Sequence, residues 1–89
     1  MAAWEELLGA MKASAKLTGF SYEEAAKVLT GLGFSLPGGG GGSHRTWRRR
    51  LPNGTLVTIL LVQKGHGDIN PLYLRKMLRI LRVNGLIED

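Results

Sequence analysis

Apolar residues recur at helical spacing at both ends of the chain. The first run predicts a helix over residues 3–17 that closes near Gly19, with apolar positions Trp4, Leu7, Leu8, Met11 and Ala15. A second helix is predicted to begin at Ser21, because Ser21 and Glu24 have the spacing of a capping box. It ends at Gly31 or Gly33, and its buried stripe is Ala25, Val28, Leu29 and Leu32.

The third helix is predicted over residues 71–83. Asn70 is a suitable N-cap, and Pro71 suits the first helical position because its missing N–H would have no partner there. Asn84-Gly85 provides the stop. Its inward positions are Leu74, Met77, Leu78 and Leu81.

The middle of the chain has an extended pattern. Residues 34–36 form a short extended piece, and five glycines at 38–42 predict a flexible loop. Residues 43–50 and 55–62 flank a proline- and glycine-containing turn at 51–54, which predicts a β-hairpin. The second strand is apolar at nearly every position, which predicts burial on both faces and a central place in the sheet. Residues 63–69 are predicted to be a loop.

The predicted order is helix, helix, three short strands, helix, in an α+β fold. A three-stranded antiparallel sheet with helices packed on one face buries these stripes and leaves the other face open to a partner. With 89 residues the chain has room for one domain.

Composition removes several classes of function. Because there is no cysteine, a disulfide framework, thiolate catalysis and cysteine-ligated zinc are excluded. No apolar run is long enough to span a bilayer, and the first residues lack the pattern of a secretory signal, so a cytoplasmic location without membrane contact is expected.

The net charge of +5 is unevenly distributed. From residue 31 onward three acidic residues face nine cations, which are Arg45, Arg48, Arg49, Arg50, Lys64, Arg75, Lys76, Arg79 and Arg82. A basic half of a folded domain favours a nucleic-acid partner. The alternative is a solvated surface whose charge aids solubility.

His44 is the main candidate for chemistry, because it lies between the glycine loop and an arginine-rich strand. Cleavage of RNA by its own 2′-hydroxyl needs a base, an acid and cations that hold the phosphate. No metal or cofactor is required. The alternative is that His44 is a surface histidine with no catalytic role. A catalytic role for His66 has weaker support still. A metal site on both histidines and Asp68 matches no familiar ligand spacing.

Strand alternation places the side chains of His44, Arg48 and Arg50 on one side and that of Trp47 on the other. Trp47 is predicted to lie in the core, with base stacking as the alternative. In the last helix Arg75, Arg79 and Arg82 form a basic stripe opposite the leucines, which binds phosphates or is only the solvated face.

Four segments, in this order and spacing, resemble the HicA mRNA interferase toxins. They are Leu32-Gly33-Phe34, Gly42-Ser43-His44, the Asn53-Gly54 turn and Leu78…Gly85-Leu86. The resemblance covers residues 20–86, and residues 1–19 are a helical extension that short members lack. Many members also have a Pro-x-His segment where this chain reads Val62-Gln63-Lys64.

The resemblance implies a fold like the double-stranded-RNA-binding domain and a type II toxin that cuts mRNA and transfer-messenger RNA. The family histidine corresponds to His44. A HicB antitoxin would cover the active site. The expected RNA-binding residues are Ser43, Arg45, Arg48, Arg50, Lys64 and Arg75. A non-catalytic RNA-binding domain of the same fold is the alternative, and an adaptor that binds an acidic protein is a third.

Overall fold

The computed structural model describes residues 3–37, 44–64 and 67–88, and for Lys64 it describes the backbone alone. The elements follow in the order α1 (Trp4–Ala13), α2 (Tyr22–Gly31), β1 (His44–Arg50), β2 (Leu56–Lys64), β3 (Asp68–Ile69) and α3 (Pro71–Val83). The α+β class and the three-stranded antiparallel sheet are confirmed.

Side-chain caps start α2 and α3 where the sequence predicts them. The Ser21 hydroxyl accepts from the Glu24 amide at 3.1 Å, and the Glu24 carboxylate accepts from the Ser21 amide at 2.9 Å. Asn70 caps α3 by accepting from the Leu72 amide at 3.0 Å, and Pro71 follows at the first helical position. Each cap satisfies backbone donors that a helix leaves without partners.

Helix α1 ends at Ala13, so the predicted helical end at residue 17 is wrong. The Ser14 hydroxyl accepts from the Leu17 amide at 3.0 Å, which closes a local turn in place of a further helical turn. Leu17 then takes a left-handed conformation with φ of 55°. Its side chain is buried with Met11 in the same core as the rest of the chain, so the N-terminal extension packs onto the domain.

Strands β1 and β2 form the predicted hairpin, with His44 opposite Val62 and Arg50 opposite Leu56. The turn is closed by a hydrogen bond from the Leu51 amide to the Thr55 carbonyl at 2.8 Å. Gly54 has a φ of 91°, which explains the glycine at this position. The sheet order is β1-β2-β3, so β2 is central as predicted.

The third strand is not the predicted one. Residues 34–36 contribute a single bridge, in which Ser35 and Arg48 exchange two backbone hydrogen bonds of 2.9 Å. Residues 63–69 were expected to form a loop, but β2 continues to Lys64 and β3 pairs with its end. This end is also held from outside the sheet, because the Ile69 amide donates to the Phe20 carbonyl at 2.9 Å.

One face of the hairpin is buried and the other is not. Trp47 of β1 joins the core, as predicted, with Val57, Ile59 and Leu61 of β2 and the apolar stripes of the helices. The predicted burial of β2 on both faces is wrong, because Leu56 and Leu60 are 45% and 39% exposed. The apolar stripes of the helices pack against the face that carries Trp47.

Candidate nucleic-acid interface

The uncovered side of the hairpin gathers the even-numbered side chains of both strands. We call this surface the open face. It consists of His44, Thr46, Arg48 and Arg50 of β1 with Leu56, Thr58, Leu60 and Val62 of β2. Residues 44–64 contain no aspartate or glutamate. The hairpin therefore supplies basic, hydroxyl and apolar groups to the open face and contributes no carboxylate to it.

His44 is the first residue of β1, and its side chain is exposed. Arg48 and Arg50 lie on the same side of the strand, about 13 Å and about 20 Å away between Cα atoms at the usual rise of a strand. Thr46 lies between His44 and Arg48. The structure thus brings three of the predicted site residues, His44, Arg48 and Arg50, onto one exposed surface.

Arg50 is positioned by the hairpin turn. Its Nη1 donates to the Gly54 carbonyl at 2.9 Å, so the guanidinium lies over the turn at the far end of the open face. An arginine has five N–H donors, and this contact uses one nitrogen. The remaining N–H donors of Arg50 suit a phosphate group of a nucleic acid whose backbone runs along β1.

Arg45 lies on the other side of β1 from His44. Its guanidinium carbon is 4.4 Å from the centre of the Tyr22 ring, a cation–π contact with the first turn of α2. Tyr22 in turn accepts a hydrogen bond of 3.0 Å from Nε1 of the buried Trp47. The buried Nε of Arg45 has no hydrogen-bond partner among the described residues. The guanidinium of Arg45 therefore lies on the opposite side of β1 from the side chain of His44.

Arg49 has a structural role that the sequence analysis missed. Its Nη1 donates to the Leu32 carbonyl at 2.8 Å, and Leu32 is the C-terminal cap of α2. A cation at this end of a helix meets the carbonyl groups that lack partners and the negative end of the helix dipole. Arg49 therefore ties β1 to α2 and is turned away from the open face.

A groove runs between the open face and α3, and we call it the β2–α3 groove. Its volume is about 370 Å³, and its lining residues are Thr46, Thr58, Ile59, Leu60, Tyr73, Lys76, Met77 and Ile80. The ammonium of Lys76 lies 5.5 Å from the centre of the Tyr73 ring. This side of α3 was not predicted from the sequence, although Tyr73, Lys76 and Ile80 have the i, i+3, i+7 spacing of one helical face.

The basic stripe of α3 lies elsewhere. Arg75, Arg79 and Arg82 are exposed, as predicted, but at 3.6 residues per turn the centre of this stripe lies roughly 140° around the helix from the centre of the residues that line the groove. Arg75 is thus separated from the open face by the body of α3. Lys76 is the cation of α3 that adjoins the surface of His44.

Several predicted positions lie outside the described residues. They are Ser43, His66 and the glycine loop at 38–42, and for Lys64 the side chain is outside as well. The proposed contacts of Ser43 and Lys64 with RNA stay predictions from the sequence. Within residues 3–37, 44–64 and 67–88, no group of three or more potential metal ligands lies together. None of the helices in this part of the chain is long and apolar enough to cross a bilayer.

Comparison of the sequence with known families and curated proteins, and of the fold with solved structures, gives no match. The residues of the open face and the sequence motifs around them are therefore the basis for a proposed function.

Proposed function

We propose that this chain is an endoribonuclease toxin of the HicA type that cuts RNA with His44. The observation that carries the proposal is the placement of His44, Arg48 and Arg50 on one exposed face of a hairpin that contains no acidic residue. An imidazole is the side chain best suited to proton transfer near neutral pH, and guanidinium groups bind phosphates through paired hydrogen bonds.

The proposed reaction is a transesterification within the RNA. A 2′-hydroxyl loses its proton and attacks the neighbouring phosphorus, while the bond from phosphorus to the 5′-oxygen of the next nucleotide breaks and that oxygen gains a proton. The products are a 2′,3′-cyclic phosphate and a 5′-hydroxyl. His44 performs one of the two proton transfers, and arginine side chains of the open face stabilise the charge that develops on the phosphate.

The order of elements and the position of the Gly42-Ser43-His44 segment support a relation to HicA and a fold like the double-stranded-RNA-binding domain. The segment ends at the first residue of β1. An antitoxin of the HicB type is the proposed protein partner. The exposed side chains of Leu56 and Leu60, flanked by arginines, offer such a partner both apolar and charged contacts.

The proposal is tested by incubating purified protein with a labelled single-stranded RNA in the presence of EDTA. We expect cleavage that leaves cyclic phosphate ends and that stops when the same strand is 2′-O-methylated. Binding of the RNA without cleavage would contradict the nuclease activity. It would favour the alternative, a non-catalytic domain that binds RNA with the same basic surface. Failure to bind RNA at low salt would contradict both.

A further inference from the structure

One lining residue of the β2–α3 groove lies close to His44 in β1. Thr46, one of its lining residues, is the next residue after His44 on the open face, about 7 Å away along the strand. That distance is comparable to the separation of neighbouring nucleotides in an extended single strand. A group bound in the groove would therefore belong to a nucleotide adjacent to a phosphate held at His44.

The size of the groove is sufficient for one flat ring system. Its volume of about 370 Å³ is at the lower end of the range found for small-molecule pockets. Thr46 contributes to the groove from the open face, and Tyr73 and Ile80 contribute from α3.

The lining has the chemistry of a site for a nucleobase. Leu60 lies opposite Thr46 in the strand register and next to Thr58 on the same face, so a hydroxyl is present on two sides of an apolar floor. Threonine hydroxyls both donate and accept, as the edges of bases do. The wall contains the Tyr73 ring, and proteins that bind single-stranded RNA use aromatic rings to contact the faces of bases.

The positions of the cations also separate a site for phosphates from a site for a base. The arginines that suit phosphates, Arg48 and Arg50, lie on β1 outside the lining, whereas the groove has one cation, Lys76, and no carboxylate among its lining residues. A phosphate would bind along β1. A neutral ring with polar edges would bind between β2 and α3.

We propose that the β2–α3 groove binds the base next to the scissile phosphate and so sets the sequence preference of cleavage. The hydroxyls of Thr46 and Thr58 contact the edge of this base, and Leu60 contacts its face. This inference rests on the proposed ribonuclease function.

The test maps cleavage sites in an RNA pool that is randomised around the cut, for the wild-type protein and for Thr46→Val and Thr58→Val. Valine has the shape of threonine without the hydroxyl, so the variants are expected to fold, which thermal unfolding checks. We expect wild type to prefer particular bases at one position adjacent to the cut. Each variant is expected to weaken that preference by about 2–10-fold, the effect of one hydrogen bond.

Two controls accompany the groove variants. Thr58→Ser keeps the hydroxyl group and should keep the base preference of the wild-type protein. Thr55→Val makes the same chemical change at an exposed position in the hairpin turn, outside the groove, and should leave the preference unchanged.

The outcomes separate the two proposals. If wild type cuts RNA and both groove variants keep its base preference, or if wild type has no preference beside the cut, the base site is wrong and the ribonuclease stands. The groove would then serve another ligand, such as an acidic protein segment. If wild type does not cut RNA at all, the proposed function fails, and the base site fails with it.

Discussion

Arg48 and Arg49 are neighbours in β1, but their side chains lie on opposite sides of the sheet. Arg48 is exposed on the open face with His44, whereas Arg49 is half-buried and donates to the Leu32 carbonyl at the end of α2. Two adjacent residues of the same type therefore differ in exposure and in hydrogen bonding. The alternation of side chains along a strand is the physical cause.

Replacing each arginine by glutamine should separate RNA binding from stability. For Arg48→Gln we expect weaker RNA binding, and the slope of log affinity against log salt concentration should fall by about one. The unfolding free energy should stay within about 0.5 kcal/mol of wild type. For Arg49→Gln we expect a loss of stability on the order of 1 kcal/mol, because the charged hydrogen bond to Leu32 is half-buried. Urea unfolding and RNA titrations at several salt concentrations measure both. Equal effects of the two substitutions would contradict the opposite placement.

Gly31 is the position at which α1 docks on α2. A Cβ atom on Gly31 would overlap the ring of Trp4. Gly31→Ala is therefore expected to displace Trp4 and to lower the unfolding free energy by about 1–3 kcal/mol, the usual cost of overpacking. Tryptophan fluorescence should report the change, because the half-buried Trp4 becomes more exposed while Trp47 stays buried.

Gly9→Ala is the matched control for this docking contact. Gly9 lies within α1, and a Cβ atom there would meet nothing within 4 Å. We expect this substitution to raise stability by about 0.5–1 kcal/mol, because alanine loses less backbone entropy than glycine on forming a helix. A stabilising effect of alanine at both positions would show that Trp4 does not pack on Gly31.

Tyr22 and Trp47 form the buried polar contact between α2 and β1. The Trp47 indole donates to the Tyr22 hydroxyl at 3.0 Å, and the two ring centres are 6.5 Å apart. A double-mutant cycle with Tyr22→Phe and Trp47→Phe should give a coupling of about 0.5–1.5 kcal/mol in the unfolding free energy. Tyr22→Phe keeps the ring under Arg45, so the cation–π contact is retained. Additive effects would mean that the hydrogen bond contributes nothing.

Several features that depend on neighbouring residues in the chain were predicted correctly, although the end of α1, where a local turn joins Ser14 and Leu17, was not. The capping box of Ser21 and Glu24, the Asn70 cap and the hairpin turn are local arrangements, and a short stretch of sequence specifies each of them. The same is true of β1, where alternation alone separates His44 and Arg48 from Trp47. These local patterns were sufficient to place His44 on the open face.

Several features that depend on distant parts of the chain were not predicted, although the central place of β2 and the burial of Trp47 were. The apolar run in β2 does not show that its second face lacks a covering layer. It also does not show that β3 pairs with the end of β2 at Lys64, where Ile69 donates a hydrogen bond to Phe20. The side of α3 that adjoins the open face follows from how the helix packs against β2. Sequence periodicity showed the stripe of Arg75 but could not show that Lys76 lies nearer the site.

The catalytic role of His44 is tested by measuring the cleavage rate of His44→Gln together with its affinity for RNA. Glutamine retains hydrogen-bonding groups but does not transfer protons near neutral pH. We expect a loss of about 10²–10⁴-fold in the rate of RNA cleavage in EDTA. We also expect unchanged thermal unfolding and an affinity for 2′-O-methylated RNA close to that of wild type. Cleavage by His44→Gln at the wild-type rate would show that His44 is not the catalytic group.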